Sequence, residues 1–230
     1  MGLPMLSEHL RPRELSDLIQ PRPVVEALER MAAEGRLRNM LFYGQPGLGK
    51  TSAARILIEK VEADILQING SLDTGIDTFR TVFVLWASAC SLFDRQKVCF
   101  IDEADYLSSN AQAALRGLIE AYPNVAFLLT ANDFAKIDPA LKSRCLPVWF
   151  GFSAEDEPEA IARLCVRYEQ RLKELSFLVN LRRLGEIVRE HFPDLRAIAN
   201  QLEFEFPRNK EAEGSPEGTL PPAKSGSVIG

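Results

Sequence analysis

Residues 44–51 read GQPGLGKT and match the spacing G-x-x-x-x-G-K-[ST], which is typical of a phosphate-binding loop. The glycines of this pattern permit a tight turn in which backbone N–H groups point at phosphate oxygens. Lys50 adds a positive charge that can reach the β- and γ-phosphates, and the hydroxyl of Thr51 is a suitable ligand for Mg²⁺. The stretch therefore predicts a nucleotide site.

The sequence on either side of this loop predicts the elements that would position it. Residues 40–43 (MLFY) form a short apolar run that suits a buried strand, and residues 52–61 have a helical pattern. A helix that begins at the loop directs its N-terminal N–H groups toward the phosphates, and its dipole favours their charge. This context favours a nucleotide site over the alternative, a glycine-rich turn that ends by chance in Lys-Thr.

Residues 98–105 read VCFIDEAD, an apolar strand that ends in acidic side chains. Asp102, at the end of the strand, is expected to hold the Mg²⁺ water shell beside Thr51, and Glu103 is expected to orient the water that attacks the γ-phosphate. A solvated acidic turn is the alternative, and the phosphate loop upstream disfavours it. The tetrapeptide DEAD also occurs in a class of helicases, but the other motifs of those enzymes are not visible in the sequence.

Three further polar residues each have two interpretations. Asn132 follows the predicted strand 125–129 and either hydrogen-bonds the γ-phosphate or the attacking water, or caps a turn. Arg144 lies at the end of the predicted short helix 138–143 and is either a surface charge or a group that reaches a neighbour's nucleotide. Arg196, in the first turn of the last predicted helix, is either a salt-bridge partner or a phosphate sensor.

Strand and helix patterns alternate through the first two thirds of the chain, which predicts a parallel sheet covered by helices on both faces. The preceding residues 1–23 contain four prolines and predict an irregular arm with at most short helical turns. The predicted strands are 40–43, 64–68, 98–101, 125–129 and 146–150, and the predicted helices are 24–35, 52–61, 76–90, 110–121 and 138–143.

From residue 153 the pattern becomes helical, which indicates a small bundle of three helices docked on the sheet domain. The expected division is a nucleotide-binding domain at 1–152, a helical domain at 153–206 and a tail at 207–230, whose Pro, Gly, Ser and charge content predicts disorder. Two apolar stripes predicted to be buried are Phe79, Val82, Phe83 and Trp86 in the helix 76–90, and Leu181, Leu184, Ile187 and Val188 in the bundle.

The composition limits the classes of partner. A net charge of −5 excludes indiscriminate coating of nucleic acid, so any DNA contact must come from a local basic surface. The four cysteines form no C-x-x-C pair, which disfavours a zinc site and favours a reduced, cytosolic state. We see neither a signal-peptide pattern nor an apolar stretch of membrane-spanning length, and we therefore expect a soluble cytoplasmic protein with no membrane partner.

The order of these motifs resembles AAA+ ATPases of the clamp-loader group, whose members open sliding clamps at primer–template junctions. Within that group the chain most resembles the small, ATPase subunit of T4-like bacteriophages and replication factor C-type small subunits. The segments that carry the resemblance are GQPGLGKT, VCFIDEAD, TAN at 130–132, SRC at 143–145, HLRPRELSD at 9–17, IDTFR at 76–80, FDRQKV at 93–98, QAALR at 112–116 and FPDLR at 192–196. They cover residues 8 to about 205.

The resemblance implies an α/β fold of the AAA+ P-loop NTPase type, with a parallel sheet sandwiched by helices and a small helical lid domain. It also implies ATP and Mg²⁺ as cofactors, and hydrolysis stimulated by DNA and by a clamp. The implied partners are other subunits of a hetero-oligomeric, pentameric spiral, a sliding clamp and primer–template DNA. The implied location is the cytoplasm, or the host cytoplasm for a viral protein.

The resemblance also implies roles for single residues. Asn132 is the first sensor, Arg196 the second sensor and Arg144 an arginine finger that acts on the neighbouring subunit's ATP. The implied sets are Gly44, Gly47, Leu48, Gly49, Lys50, Thr51, Ser52 and Arg196 for nucleotide binding, Thr51 and Asp102 for the metal, Glu103, Asn132 and Arg144 for catalysis, and Arg80, Asn110, Gln112 and Arg116 for DNA.

Other AAA+ machines, such as a helicase loader or a branch-migration motor, and a scaffold subunit that binds nucleotide without hydrolysis, are the alternatives. The intact catalytic set disfavours the scaffold, and the SRC and IDTFR segments favour a clamp loader over the other machines. Clamp-loader subunits normally continue into a third, helical collar domain. Residues 207–230 show no helical stripe of that kind, so a chain without a collar and with weak self-assembly is expected.

Overall fold

The computed structural model describes residues 5–71, 76–91 and 94–208, with side chains in 76–91 described from residue 80. The tail predicted at 207–230 lies outside the described residues except for its first two. The helices are Leu6–His9 (α1), Arg22–Ala33 (α2), Lys50–Lys60 (α3), Ile76–Ser88 (α4), Ser109–Ala121 (α5), Pro139–Lys142 (α6), Glu157–Glu174 (α7), Leu181–His191 (α8) and Leu195–Glu205 (α9). The strands are Met40–Tyr43 (β1), Asp64–Asn69 (β2), Lys97–Asp102 (β3), Val125–Ala131 (β4) and Leu146–Trp149 (β5).

The five strands form one parallel sheet in the order β2-β3-β4-β1-β5. Because all strands run in the same direction, the residues that follow β1, β3 and β4 emerge at the same edge of the sheet. The phosphate loop follows β1, Glu103 follows β3 and Asn132 follows β4. The topology therefore gathers the predicted catalytic segments, and it confirms the predicted α/β class.

Both faces of the sheet are buried, as the continuous apolar strands predicted. Successive side chains of a strand point to opposite faces, so Phe42 and Phe100 pack with α3 in one apolar cluster, whereas Leu41 and Phe127 pack with α4 and α5 in another. A strand buried on two faces requires helices on both. Among the described residues, no helix is both long enough and apolar enough to cross a membrane.

A third apolar cluster joins the helices α7–α9 to part of the N-terminal arm. Leu6, Leu10 and Ile19 are buried in this cluster together with residues of all three helices. Leu15 and Leu18, which lie between Leu10 and Ile19 in sequence, pack instead in the cluster that contains Phe42, Phe100 and α3. The arm therefore packs both against the sheet domain and against the helices α7–α9. The predicted division at residue 152 placed the whole arm in the nucleotide-binding domain.

Two predicted core positions are wrong. Val82 is 46% exposed because the buried face of α4 is centred on Phe83, which is fully buried between α5 and the sheet. Leu181 is 55% exposed because it is the first residue of α8, ahead of the turn in which Leu184 meets α7 and α9. The predicted stripe residue Phe79 lies outside the described side chains. Helix and strand bounds otherwise differ from the predicted ones by a few residues, which is usual for element ends.

Replacing Phe83 by Ala should lower the free energy of unfolding by about 3–5 kcal/mol, because the ring fills a site among Tyr122, Trp86 and Phe127. The matched variant Val82→Ala should change it by less than about 0.5 kcal/mol, since Val82 is half exposed. Urea denaturation of both variants checks this. Equal losses would show that α4 packs through a different face.

Candidate nucleotide-binding site

The phosphate loop is wedged between β5 and the start of α9, and two of its glycines have no room for a side chain. Gly44 has φ 144°, and a Cβ there would lie 2.0 Å from the carbonyl oxygen of Phe150. Gly47 has φ 82°, and a Cβ there would lie 2.3 Å from a carboxylate oxygen of Asp194. Because the backbone of Phe150 and the carboxylate of Asp194 approach the loop so closely, this segment needs glycine at both positions.

Lys50, the first residue of α3, is 6% exposed and folds back onto its own loop. Its Nζ donates hydrogen bonds to the carbonyl oxygens of Gly44 (2.8 Å) and Gln45 (2.7 Å). Burial lowers the pKa of Lys50 to about 8, although the nearby carboxylates of Asp105 and Asp102 oppose the shift. A bound phosphate would give this buried cation a charged partner in place of two neutral carbonyls.

The end of β3 carries a hydrogen-bonded group of oxygens. The hydroxyls of Thr51 and Thr130 both donate to the same carboxylate oxygen of Asp102, at 2.9 and 2.5 Å. Thr130 also accepts a hydrogen bond from the backbone N–H of Glu103 at 2.9 Å. The hydroxyl of Thr51 and the carboxylate of Asp102 are hard oxygen donors on neighbouring positions, and this donor set fits Mg²⁺.

Sequence reasoning missed Thr130, although a signal was present. It is the one side chain with a hydroxyl in the strand Val125–Ala131, whose other members are apolar, and it is 2% exposed. A buried hydroxyl needs a hydrogen-bond partner. Near the end of a strand beside an acidic motif, that requirement points to the carboxylate of Asp102.

Glu103 adopts a left-handed backbone conformation, with φ 58° and ψ 46°. This region is uncommon for residues with a side chain, and such strain concentrates at functional positions. The conformation is held on two sides, since its N–H donates to Thr130 and a Cβ at Gly70 would lie 2.4 Å from its carbonyl oxygen. The side chain of Glu103 lines the same cavity as Lys50 and Asn132.

The loop that follows Asn132 is fixed by two buried polar side chains. One is Asp105, which is 7% exposed and accepts a hydrogen bond from the N–H of Asp133 at 3.1 Å. Its other oxygen is buried, and within the described part of the chain it has no hydrogen-bond partner. The electrostatic attraction of Lys50 partly compensates this carboxylate. Asp105 thus links the acidic motif to the position of Asn132.

The second is Gln112, and its predicted place on a DNA-contacting surface is wrong. Its side chain is 5% exposed, donates to the carbonyl oxygens of Leu107 (3.2 Å) and Lys136 (3.1 Å), and accepts from the N–H of Asp138 (2.7 Å). These contacts occupy the amide inside the protein. Gln112 therefore connects α5 to the loop between β4 and α6 and does not face solvent.

Gln20 is a further buried polar residue that sequence reasoning missed. It is 1% exposed, and its Nε2 donates to the carbonyl oxygen of Leu48 at 3.1 Å. Its Oε1 accepts from the N–H of Gly151 at 3.2 Å. One amide thus ties the arm to the phosphate loop and to the connection between β5 and α7. The buried Leu48 therefore contributes to the loop through its packing and its carbonyl.

A cavity of about 330 Å³ extends from the phosphate loop to the arm and the helices α7 and α9, a volume in the range of small-molecule sites. Thr51, Ser52 and Asn132 line its phosphate end. Arg196 lines it from α9, where the N-cap Asp194 accepts hydrogen bonds from the N–H groups of Arg196 and Ala197, both at 3.0 Å. Further lining residues that the sequence did not indicate are Leu10, Arg11, Pro12, Arg55, Arg167, Tyr168, Leu195 and Ala199.

A larger groove of about 810 Å³ lies at the opposite edge of the sheet. Its basic residues include Lys97, which donates to the carbonyl oxygens of Trp86 (2.6 Å) and Ala87 (2.9 Å) at the end of α4. Cations are stabilised at the C-terminal ends of helices. These contacts account for the positive charge of Lys97 in the groove, so a bound ligand is not needed to explain it. None of the predicted site residues lines this groove.

Arg144 lies away from the cavity. It precedes β5, whose first residue Leu146 pairs with Met40, the first residue of β1, whereas the phosphate loop follows the far end of β1. Four residues of strand separate these edges by about 13 Å. The guanidinium donates to the carboxylate of Glu120 (2.9 Å) and to the carbonyl oxygen of Ala140 (2.7 Å). Arg144 therefore does not reach the nucleotide site of its own chain.

The three other residues predicted to contact DNA are exposed. Arg80 lies on α4, and Asn110 and Arg116 lie on the adjacent helix α5. None of them lines the cavity that contains Lys50. Their contact with DNA stays a prediction.

Comparison with known proteins gives matches to a family and to individual relatives. The model of the family described as "ATPase family associated with various cellular activities (AAA)" matches residues 40–150. Replication factor C subunit 5 of Mus musculus is 38% identical over 152 residues, which are 63% of this chain and 45% of that protein. The sliding-clamp-loader large subunit of Enterobacteria phage T4 is 31% identical over 204 residues, which are 86% of this chain and 64% of that protein.

The chain thus spans 45% to 64% of the length of these two relatives. The phage relative is named a large subunit, whereas the sequence motifs predicted a resemblance to the small, ATPase subunit of T4-like phages. Among solved structures, a variant of RuvB from Thermotoga maritima has a TM-score of 0.68 at 19% identity, covering 85% of this chain and 64% of that one. At this identity the likeness shows only that the two proteins share a fold.

Replacing Thr130 by Val should lower the free energy of unfolding by about 1–3 kcal/mol, because the N–H of Glu103 and the carboxylate of Asp102 lose a buried partner. The variant should also weaken Mg²⁺-dependent nucleotide binding. Thr130→Ser keeps the hydroxyl and should restore both properties substantially. Denaturation and titration with MgATP check this, and a Val variant with unchanged Mg²⁺ dependence would contradict the role of Thr130.

Proposed function

We propose that the chain, whose residues 40–150 match the model of the AAA family of ATPases, binds ATP with Mg²⁺, hydrolyses it and acts as a subunit of a clamp loader. The single observation that carries this proposal is the arrangement of the charged groups. Lys50, Asp102 and Glu103 border one cavity, and Arg144 lies at the far edge of the sheet, away from that cavity.

The cavity residues supply complementary roles in hydrolysis. The loop N–H groups and Lys50 bind the phosphates, and the oxygens of Thr51 and Asp102 hold Mg²⁺, which neutralises the charge that develops on the phosphate oxygens. The carboxylate of Glu103 accepts a hydrogen bond from the attacking water and so orients it toward the γ-phosphate. Asn132 and Arg196 contact the phosphates from β4 and α9. Positioning and electrostatics supply most of this catalysis.

Arg144 completes the site of a neighbouring subunit in this proposal. A guanidinium beside the γ-phosphate stabilises the charge of the transition state, and its absence from the chain's own cavity makes hydrolysis dependent on assembly. Glu120 and the carbonyl oxygen of Ala140 hold the guanidinium in the free chain. Exchange of the exposed Glu120 contact for a phosphate would accompany assembly.

The assignment to clamp loading, rather than to another ATP-driven task, is supported by the relatives. Replication factor C and phage clamp-loader subunits match up to 89% of the chain. Primer–template DNA and a sliding clamp are the proposed partners, within a hetero-oligomer of related subunits. Arg80, Asn110 and Arg116 are the proposed DNA contacts, because each of them is exposed on α4 or α5 although the net charge of the chain is −5.

Replacing Glu103 by Gln should keep ATP affinity within about threefold, since the amide preserves shape and phosphate binding does not involve this side chain. Steady-state hydrolysis should fall by at least about 10²-fold, because the amide no longer polarises the attacking water. The wild-type rate should be slow for the chain alone and should rise with partner subunits, primer–template DNA and a clamp. Phosphate-release assays and nucleotide titration check both expectations.

The matched control is Glu26→Gln, which removes an exposed carboxylate from α2 and should leave both quantities unchanged. Full turnover by Glu103→Gln would contradict the catalytic role. Failure of the wild-type chain to bind MgATP would overturn the proposed function as a whole.

Replacing Arg144 by Ala should leave the ATP affinity of the isolated chain unchanged, because the side chain lies outside its own cavity. The activity that appears on assembly should fall by about 10³-fold or more, the usual value of an arginine finger. Arg182→Ala, at a site that is 91% exposed on α8, is the control. A loss of activity in the unassembled chain would show that Arg144 acts within its own subunit.

A further inference from the structure

The N-terminal arm is fastened to the helices α7 and α9 and forms part of the cavity wall. Its first helix, α1, inserts Leu6 into the apolar cluster of α7–α9, and the N–H of Leu6 donates to the carboxylate of Glu203 at 3.1 Å. Leu10 is buried in the same cluster and also lines the cavity. The position of this wall thus depends on contacts with helices more than 140 residues away in the sequence.

Two arginines one turn apart on α7 bind this arm through its backbone. Arg163 donates to the carbonyl oxygens of Gln20 (2.9 Å) and Leu18 (3.1 Å). Arg167 donates to the carbonyl oxygen of Leu10 (3.2 Å) and, through a second nitrogen, to that of Asp17.

These carbonyl groups belong to the segment between α1 and α2, and three of them belong to the buried residues Leu10, Leu18 and Gln20. A buried backbone carbonyl without a partner is costly. The two guanidinium groups supply hydrogen-bond donors to all four carbonyls, and the planar fork of arginine suits a pair of acceptors better than the ammonium of lysine does. The side chain of Arg167 is 14% exposed. Besides these hydrogen bonds, Arg167 forms a 3.9 Å ion pair with the carboxylate of Asp17. The Arg167 contact is therefore a partly buried set of hydrogen bonds and not only an ion pair on the surface.

The contact borders the cavity, because Leu10 and Arg167 both line it. The arm and the helices line the cavity with apolar residues and with polar ones: Leu10, Pro12, Tyr168, Leu195 and Ala199, and Ser7, Glu8, Arg11, Arg167 and Arg196. Lys50 and the acidic motif line the same cavity. Apolar surface with a few polar groups suits the base and ribose of a nucleotide whose phosphates bind at Lys50.

We propose that Arg163 and Arg167 are positioning residues that fasten the arm to α7 and thereby shape the part of the cavity that receives the nucleoside of the bound nucleotide. The inference rests on the proposed ATP site. In this proposal, hydrogen bonds from the arginines of α7 to carbonyl groups of the arm hold the wall that contacts the nucleoside. Loss of these contacts should therefore weaken binding of the nucleoside moiety and leave binding of the phosphates intact.

The test compares two ligands in the presence of Mg²⁺, ATP and inorganic tripolyphosphate, by isothermal titration calorimetry. For Arg167→Ala the ATP affinity should fall by about tenfold or more, the usual effect of losing a charge-assisted contact, and the tripolyphosphate affinity should stay within about twofold. Arg167→Lys keeps the charge but loses the fork, so it should show the same pattern more weakly. Arg171→Ala is the matched control, one turn further along α7, where Arg171 pairs only with Glu174 of the same helix in the part of the chain that the structure describes.

Hydrogen exchange provides a second measurement without ligand. In Arg167→Ala, backbone N–H groups of residues 6–20 should exchange faster, whereas those of α5, which packs in a different apolar cluster from the arm, should be unchanged. If Arg167→Ala does not fold, Arg167→Lys gives the same comparison.

The outcomes separate this inference from the proposed function. Equal losses of ATP and tripolyphosphate affinity in Arg167→Ala would overturn the positioning role. Unchanged ATP affinity together with faster hydrogen exchange of residues 6–20 would overturn it as well. Wild-type binding of neither ligand would overturn the proposed function. Unchanged exchange of residues 6–20 in Arg167→Ala would overturn the carbonyl contact itself.

Discussion

Parallel pairing of β1, β3 and β4 is the constraint on which the candidate site depends. It brings the ends of three strands to one edge, so that Lys50, Asp102 and Asn132, far apart in sequence, border one cavity. The parallel pairing of β5 with β1 places Arg144, which precedes β5, at the opposite edge. The topology of the sheet therefore decides which of the predicted site residues share one cavity and which lie away from it.

The site holds buried charge and backbone strain that the surrounding fold must stabilise. Lys50 and Asp105 are both buried, and each moderates the cost of burying the other. The left-handed backbone of Glu103 costs about 1–3 kcal/mol and persists because Thr130 and Gly70 hold it on both sides. Such an arrangement is preorganised, because the surrounding contacts already hold the charged groups and the backbone in place.

The sequence predicts what local patterns determine. The phosphate loop and the acidic strand follow from spacing alone, and strand–helix alternation predicts the sheet. Thr130, Gln20 and Arg167 were missed because their roles depend on partners 28 to 157 residues away. Gln112 was misplaced although its spacing of three and seven residues from Leu115 and Ile119 put it on the buried face of α5. Motif resemblance outweighed helical periodicity in that case.

The arm that packs against α9 has a consequence for how the chain folds during synthesis. Leu6 and its partner Glu203 are 197 residues apart, so α1 cannot complete its packing until α9 has emerged from the ribosome. Closing so long a loop carries an entropic penalty and raises the contact order, both of which slow folding. Once closed, the loop joins the two ends of the described chain, and we expect the sheet and the helical bundle to unfold together.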